Sequence, residues 1–248
     1  MRKKILITGA TSGVGYALAK RLLADGHQVW ALGRNETILQ ELKMIGAWVF
    51  QIDLSKTEEM DTFIQMVDTP DIVVFSAGVG NFSYTYEVPD CEIEQAMQVN
   101  VMAPMQLTRR LLPRMMERNE GQFIFIGSQA GKVATPKASV YAATKHALIG
   151  YMNALRLELS SFKIHVTAIH PGPIDTPFLD LADETGNYRT SVGKHLLKVE
   201  QVVDAIINAM ERPVREINLP WYMGITSKLY AVMPGIIERI GRKYFMKK

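Results

Sequence analysis

Seven short apolar runs, rich in β-branched and aromatic residues, punctuate the chain: "KILIT", "QVWAL", "WVFQI", "DIVVF", "QFIFIG", "IHVTAIH" and "EINLP". Several are continuously apolar rather than alternating. That is the pattern of strands covered on both faces, as in a parallel sheet. Between them the apolar positions recur every three or four residues, in "YALAKRLLADG", "NETILQELKMIG" and "HALIGYMNALRLEL". That spacing predicts amphipathic helices. Strand–helix alternation through most of the chain predicts an α/β fold, a doubly wound parallel sheet. No composition break or internal repeat marks a second domain, so residues 1–248 read as one, with a helical C-terminal extension. The helix expected from about 91 to 118 carries Pro104 and Pro113. Each removes a backbone donor, and each predicts a kink. Residues 177–198, with interspersed Asp, Thr, Gly, Asn and Ser, read as a mobile loop.

Composition narrows the setting. Hydrophobic residues make up 48% and charged residues 21%, which suits a folded globular chain. A single cysteine, Cys91, excludes an intrachain disulfide framework and fits a reducing, cytoplasmic compartment. Five scattered histidines and that one cysteine argue against a metal site. The start, "MRKKILITGATSG", is basic, but its apolar run is too short for a signal peptide. No apolar run is long enough to span a membrane.

The net charge of +3 is unevenly placed. Residues 226–248 hold six basic side chains and one acidic, while acids slightly outnumber bases in the remainder. The protein as a whole is therefore not a nucleic-acid binder by charge. The tail from about 222 to 248 interleaves aromatic and aliphatic with basic residues. Such a segment either makes peripheral contact with an anionic membrane or packs on a partner subunit or on the 177–198 segment.

Candidate chemistry begins at "TGATSGVG", between the first strand and the first helix. Gly9, Gly13 and Gly15 permit a tight turn and close approach of a pyrophosphate to a helix N-terminus. The second strand ends in "ALGRN", where Gly33 and Arg34 stand in place of the acid that selects NAD. Arg34 can pair with a 2′-phosphate, which favours NADP; alternatively it is a solvated helix-start residue. Asp53, in "QIDLS", either accepts from an adenine amino group or caps the next helix. "VYAATKHA" sets Tyr141 and Lys145 one helical turn apart. They are either a surface pair or an acid whose proton is made labile by a cation.

These segments together resemble the short-chain dehydrogenase/reductase family over about residues 3–220. "TGATSGVG" matches its cofactor turn, "QVNVMA" its asparagine (Asn100), and "FIGSQAG" its serine (Ser128). "YAATK" matches Tyr-x3-Lys, and "HPGPIDTPF" the Pro-Gly segment with Pro171, Gly172 and Thr176. One departure is visible: the family's Asn-Ala-Gly reads Ser76-Ala77-Gly78, which puts local packing in doubt more than chemistry.

The resemblance implies a single-domain Rossmann fold and NADP(H)-dependent hydride transfer between nicotinamide and a small-molecule carbonyl or alcohol. It implies Tyr141 as general acid/base. Lys145 would lower the phenol's pKa from about 10, by roughly 3–4 kcal/mol of differential interaction. Ser128 would bond the substrate oxygen, and Asn100 would position a water linking Lys145 to solvent. Cofactor contacts would come from Thr11, Ser12, Val14, Asp53, Leu54, Ala77, Gly78, Ile174 and Thr176, beside the glycines, Arg34, Tyr141 and Lys145. For Thr176 helix capping is the alternative.

The 177–198 segment would cover the substrate, with Leu179, Leu181, Tyr188 and Leu196 as pocket or anchor residues. His170 reads as packed rather than catalytic. Family members commonly form dimers or tetramers, through helices here around 91–118 and 139–160. Two alternatives stand beside this reading. A 3-oxoacyl-carrier-protein reductase would need a basic dock, for which Arg109, Arg110, Lys132 and Lys137 are candidates. A non-catalytic NADP-binding regulator would not need the complete Ser128/Tyr141/Lys145 set.

Overall fold

The computed structural model describes residues 2–183 and 185–245. The last three residues of the tail lie outside that range. All seven apolar runs form strands: β1 (Lys4–Thr8), β2 (Gln28–Gly33), β3 (Trp48–Gln51), β4 (Ile72–Phe75), β5 (Gly121–Ile126), β6 (Ile164–Pro171) and β7 (Glu216–Leu219). They pair in parallel, in the order β3-β2-β1-β4-β5-β6-β7. The order reverses between β1 and β4. In doubly wound sheets a crevice opens there, beyond the carboxyl ends of the strands.

The helices are α1 (Gly13–Ala24), α2 (Glu36–Met44), α3 (Thr57–Met66), α4 (Asp90–Met97), α5 (Ala103–Arg118), α6 (Ser139–Glu158), α7 (Pro177–Ala182), α8 (Asn187–Val192), α9 (Val199–Glu211), α10 (Tyr222–Val232) and α11 (Pro234–Phe245). Strand side chains alternate between two cores. Leu6, Val73, Phe75, Phe123 and Phe125 pack against α3, α5 and α6. Ile5, Ile7, Val74 and Ile124 pack against α1, α2 and α9. Both faces of the central strands are thus dry, which explains their unbroken apolar runs.

Two expectations change. The helix expected over 91–118 is interrupted by a π segment, Gln98–Met102, between α4 and α5. Pro104 has no N–H to give the Asn100 carbonyl, so the ordinary α-helical bond cannot form there. The Ala103 N–H donates instead to the Gln98 carbonyl, five residues back. Pro113, by contrast, lies inside α5.

The 177–198 segment is not simply loop: it contains α7 and α8. Asp183 joins them, accepting from the Tyr188 N–H at 2.6 Å and the Thr185 N–H at 3.1 Å. Arg189 clamps the pair, donating to Asp180 at 2.8 and 3.1 Å and to the Thr176 carbonyl at 3.0 Å, and pairing with Asp175. No described helix is long and apolar enough to cross a membrane.

Candidate active site

The carboxyl ends of β1, β2, β4, β5 and β6 open into one cavity of about 860 Å³. Every catalytic and cofactor-binding residue expected from the sequence lines it, apart from Gly15 and Asn100, which support it from behind.

One half of the cavity suits a dinucleotide. Gly9 adopts φ +68°, and a Cβ there would come within 2.7 Å of the Ala77 backbone. A Cβ on Gly15 would collide with the Gly9 carbonyl, so α1 can sit this close to β1 only with glycine present. Ser12 is the N-cap of α1, makes no side-chain cap bond, and the first turn carries no acid. The positive end of α1 is therefore uncompensated and faces the cavity, as an anion site requires.

The Ser76 departure is absorbed locally. The buried Thr8 hydroxyl accepts from both the Ser76 and Ala77 N–H groups, at 3.2 Å each, and pins the turn after β4 to the sheet.

Arg34, exposed at the end of β2, and Asp53 both border this half. Asp53 does not cap α3, whose N-cap is Lys56. Its carboxylate accepts instead from the Ser55 N–H at 3.0 Å and hydroxyl at 2.8 Å. Burial alone would raise its pKa, but those bonds, with Arg34 and Lys56, hold it below the ordinary value. Thr176 occupies the N-cap position of α7 without a side-chain cap bond. Its hydroxyl leans towards the Ile174 carbonyl at 3.4 Å, and its methyl lies against the Gly13 position. Ile174 is bridged to Leu197 through the Asp175 and Leu197 amides, which leaves its own N–H outside that pairing.

The other half holds polar chemistry among aromatic rings. α6 carries Tyr141 and Lys145 on adjoining turns, and the loop after β5 carries Ser128. The Ser128 hydroxyl stands near enough to the Tyr141 phenol to favour its ionised form, and it accepts the Ala130 N–H at 3.0 Å. Lys145 is buried and donates to the Ile126 carbonyl at 2.9 Å, with its Nζ 5.7 Å from the Tyr141 ring centre.

The protonation pattern differs from the simple expectation. Burial pushes Tyr141 up to about 12 against a smaller lowering by Ser128. Burial also lowers Lys145 to about 8. The ammonium is committed to a backbone carbonyl, so exclusion of water outweighs its pull on the phenol.

Asn100 does not reach the cavity with its side chain. Its amide donates to the Val79 carbonyl at 2.8 Å and to Thr144 at 3.1 Å, and its carbonyl oxygen accepts the Val79 N–H at 2.9 Å. It thereby fixes the loop after β4 against α6.

Several contributors lacked a sequence signal. Phe82 and Phe178 pack on Tyr141, with ring centres at 5.9 and 5.5 Å; Tyr188, which the sequence did single out, meets Phe82 at 4.8 Å. Met223, Tyr230 and Ile237, from α10 and α11, close the far wall. Each is a lone apolar residue in a segment whose fold the pattern left open. Leu179 is buried, whereas Leu181 is 79% exposed at the rim and Leu196 does not line the cavity. His170 is buried under the floor, its pKa lowered to about 4 chiefly by that burial.

Comparison with known proteins agrees with this architecture. The family model described as short chain dehydrogenase matches residues 3–186. The oxidoreductase YbbO of Escherichia coli K12, itself uncharacterized, is 32% identical over 250 residues, covering 97% of this chain and 91% of its own. The closed form of a serine dehydrogenase complexed with NADP+ superposes with a TM-score of 0.82 at 28% identity, over 87% of this chain and 93% of its own. A 4-hydroxyisoleucine dehydrogenase complexed with NADH gives 0.80 at 27% identity, over 88% and 96%. Motif order, sheet order and these matches agree: the chain belongs to the short-chain dehydrogenase/reductase family, whose members are oxidoreductases with a nucleotide-binding Rossmann fold.

Proposed function

We propose that the protein is an NADP(H)-dependent oxidoreductase that interconverts a carbonyl and an alcohol on an apolar, uncharged substrate. The observation that carries this reading is the meeting of Ser128, Tyr141 and Lys145 across one cavity from the glycine turn. A bound nicotinamide would supply or accept the hydride. The chain's own residues handle the oxygen and its proton. Ser128 and Tyr141 hold the substrate oxygen between two hydroxyls. In reduction, the phenol donates its proton to the oxygen as negative charge builds there. A Tyr141 pKa near 12 keeps it protonated and ready as the acid. Lys145, beside the ring, stabilises the phenolate left behind and takes part in its reprotonation. Asn100 acts through its backbone carbonyl, freed from α-helical bonding by Pro104, because its side chain is engaged by Val79 and Thr144. That carbonyl is the place for the water of a proton relay.

The substrate class follows from the lining. Among the described residues on the cavity wall, the charged side chains are Arg34 and Asp53 on the cofactor half, with Glu92 and Lys145. Glu92 accepts from Asn81, and Lys145 is held by Ile126. A substrate carboxylate, as an amino acid would bring, finds no uncommitted cation there. Phe82, Phe178 and Tyr188 instead offer apolar surface. The carrier-protein alternative is disfavoured because two dock candidates are committed: Lys132 to Glu216 at 2.9 Å, and Arg110 to Asp61 at 2.5 Å.

Two measurements test the reading. Tyr141→Phe should abolish NADPH oxidation with apolar ketones while leaving NADPH binding intact; substantial residual turnover would defeat the mechanism. Arg34→Ala should weaken NADPH far more than NADH, because a charge-assisted contact to a phosphate contributes about 1.5–3 kcal/mol. Equal losses for the two cofactors would overturn the NADP preference.

A further inference from the structure

The C-terminal helices have two unlike faces. Inward, α10 turns Met223, Gly224, Ser227 and Tyr230 towards the body of the protein. A Cβ on Gly224 would meet the Asn218 side chain at 2.9 Å, so the helix lies close against β7. Tyr230 donates to Glu238 of α11 at 2.7 Å, which ties the two helices together over the cavity. Outward, the apolar residues Trp221, Ile225, Leu229 and Val232 are spaced by four, four and three, a single stripe on α10 and its N-cap. They are 73%, 55%, 49% and 78% exposed. On α11, Ile236 and Ile240, spaced by four, are likewise turned to water, 55% and 77% exposed. A water-facing stripe of this length has no role in the fold, since each helix already packs through its other side.

The polar residues beside the stripe say what covers it. Lys228, Arg239 and Arg242 flank it, and the one acid of the segment, Glu238, is engaged by Tyr230. Over residues 226–248 the excess is five positive charges, although the rest of the chain is slightly acidic. Trp221 and Tyr222, edge-to-face at 6.2 Å, are the residue types that settle at the level of lipid headgroups. Apolar residues bordered by cations match a surface of acyl chains beneath anionic headgroups.

We infer that the outward face of α10 and α11 docks on an anionic lipid surface, which sets the helices that wall the cavity against the bilayer. Met223 and Tyr230 line that cavity from the opposite side of the same helices. Docking itself requires no turnover, so it stands or falls independently of the reaction assigned above.

The test is co-sedimentation of the full chain with phosphatidylcholine vesicles, alone or carrying a minority of phosphatidylglycerol. Wild type should pellet with the anionic vesicles, and high salt should release much of it. Arg239→Gln with Arg242→Gln should weaken binding roughly fivefold for each charge removed. Val232→Asp with Ile240→Asp should abolish it; unchanged NADPH binding shows that this variant remains folded. Wild type remaining in the supernatant with anionic vesicles overturns the inference. So does light scattering in which the aspartate variant splits an oligomer while wild type ignores lipid, because the face would then join two copies of the chain.

Discussion

His170 shows burial prevailing over a favourable neighbour. Its Nε2 lies 3.7 Å from the Glu216 carboxylate, an arrangement that by itself would favour the imidazolium. Yet the ring is only 1% exposed, Lys132 stands nearby, and its pKa falls to about 4. In the unfolded chain the value returns to about 6.5. Between those values the unfolded chain binds more protons than the native one. Stability is therefore complete above about pH 6.5 and falls as pH drops towards 4, by up to roughly 3 kcal/mol. Urea unfolding over that interval should show this slope in wild type and lose it in His170→Asn. A slope unchanged by the substitution would show that another group titrates. The same effect limited what could be read at Tyr141 and Lys145. Sequence spacing put them one turn apart, but only the fold commits the amine to Ile126 and dries both groups. Arg34 and the glycines were legible, because turn geometry and charge belong to residue type. Asn100 was legible by position but not by the partners of its amide, which are distant in sequence.

At the scale of elements, each strand could be read because a short, mostly apolar run rich in β-branched and aromatic residues admits few other environments. The segment after β6 could not. α7 and α8 are six residues each, less than two turns, and too short to establish a helical period. Their order comes from Asp183 and Arg189, whose side-chain bonds to neighbouring backbone and acids resemble loop composition until the geometry is seen. The π segment was half visible. Pro104 announced a disturbance, but its form depends on how α4 and α5 share the wall of the sheet. Phe178 brings α7 into the apolar half of the cavity by packing on both Tyr141 and Phe82. Replacing it with alanine should raise KM for an apolar ketone roughly two- to tenfold, the worth of one aromatic pairing, without altering NADPH affinity. A parallel loss in cofactor affinity would mean that α7 shapes the whole cavity rather than its apolar half.

Across the whole molecule, the cavity is assembled from parts far apart in the chain. The glycine turn, Arg34 and Asp53 follow the first three strands. Ser128, Tyr141 and Lys145 come from the loop after β5 and from α6, and the far wall from α10 and α11 after the last strand. The fold class was legible because a regular strand–helix alternation leaves few topologies. The closing of the pocket by the tail was not, since a basic, apolar segment suits a partner, a lipid or the chain itself equally well. The parallel arrangement carries a consequence for evolution. The glycine turn and the Ser128, Tyr141 and Lys145 group are held by the sheet and α6, while the far wall of the cavity hangs on two terminal helices joined to the rest by β7 and a short turn. Exchange of that terminal piece would recast one wall of the cavity, and with it the molecules that fit, while leaving Tyr141, Lys145 and the glycine turn where they stand.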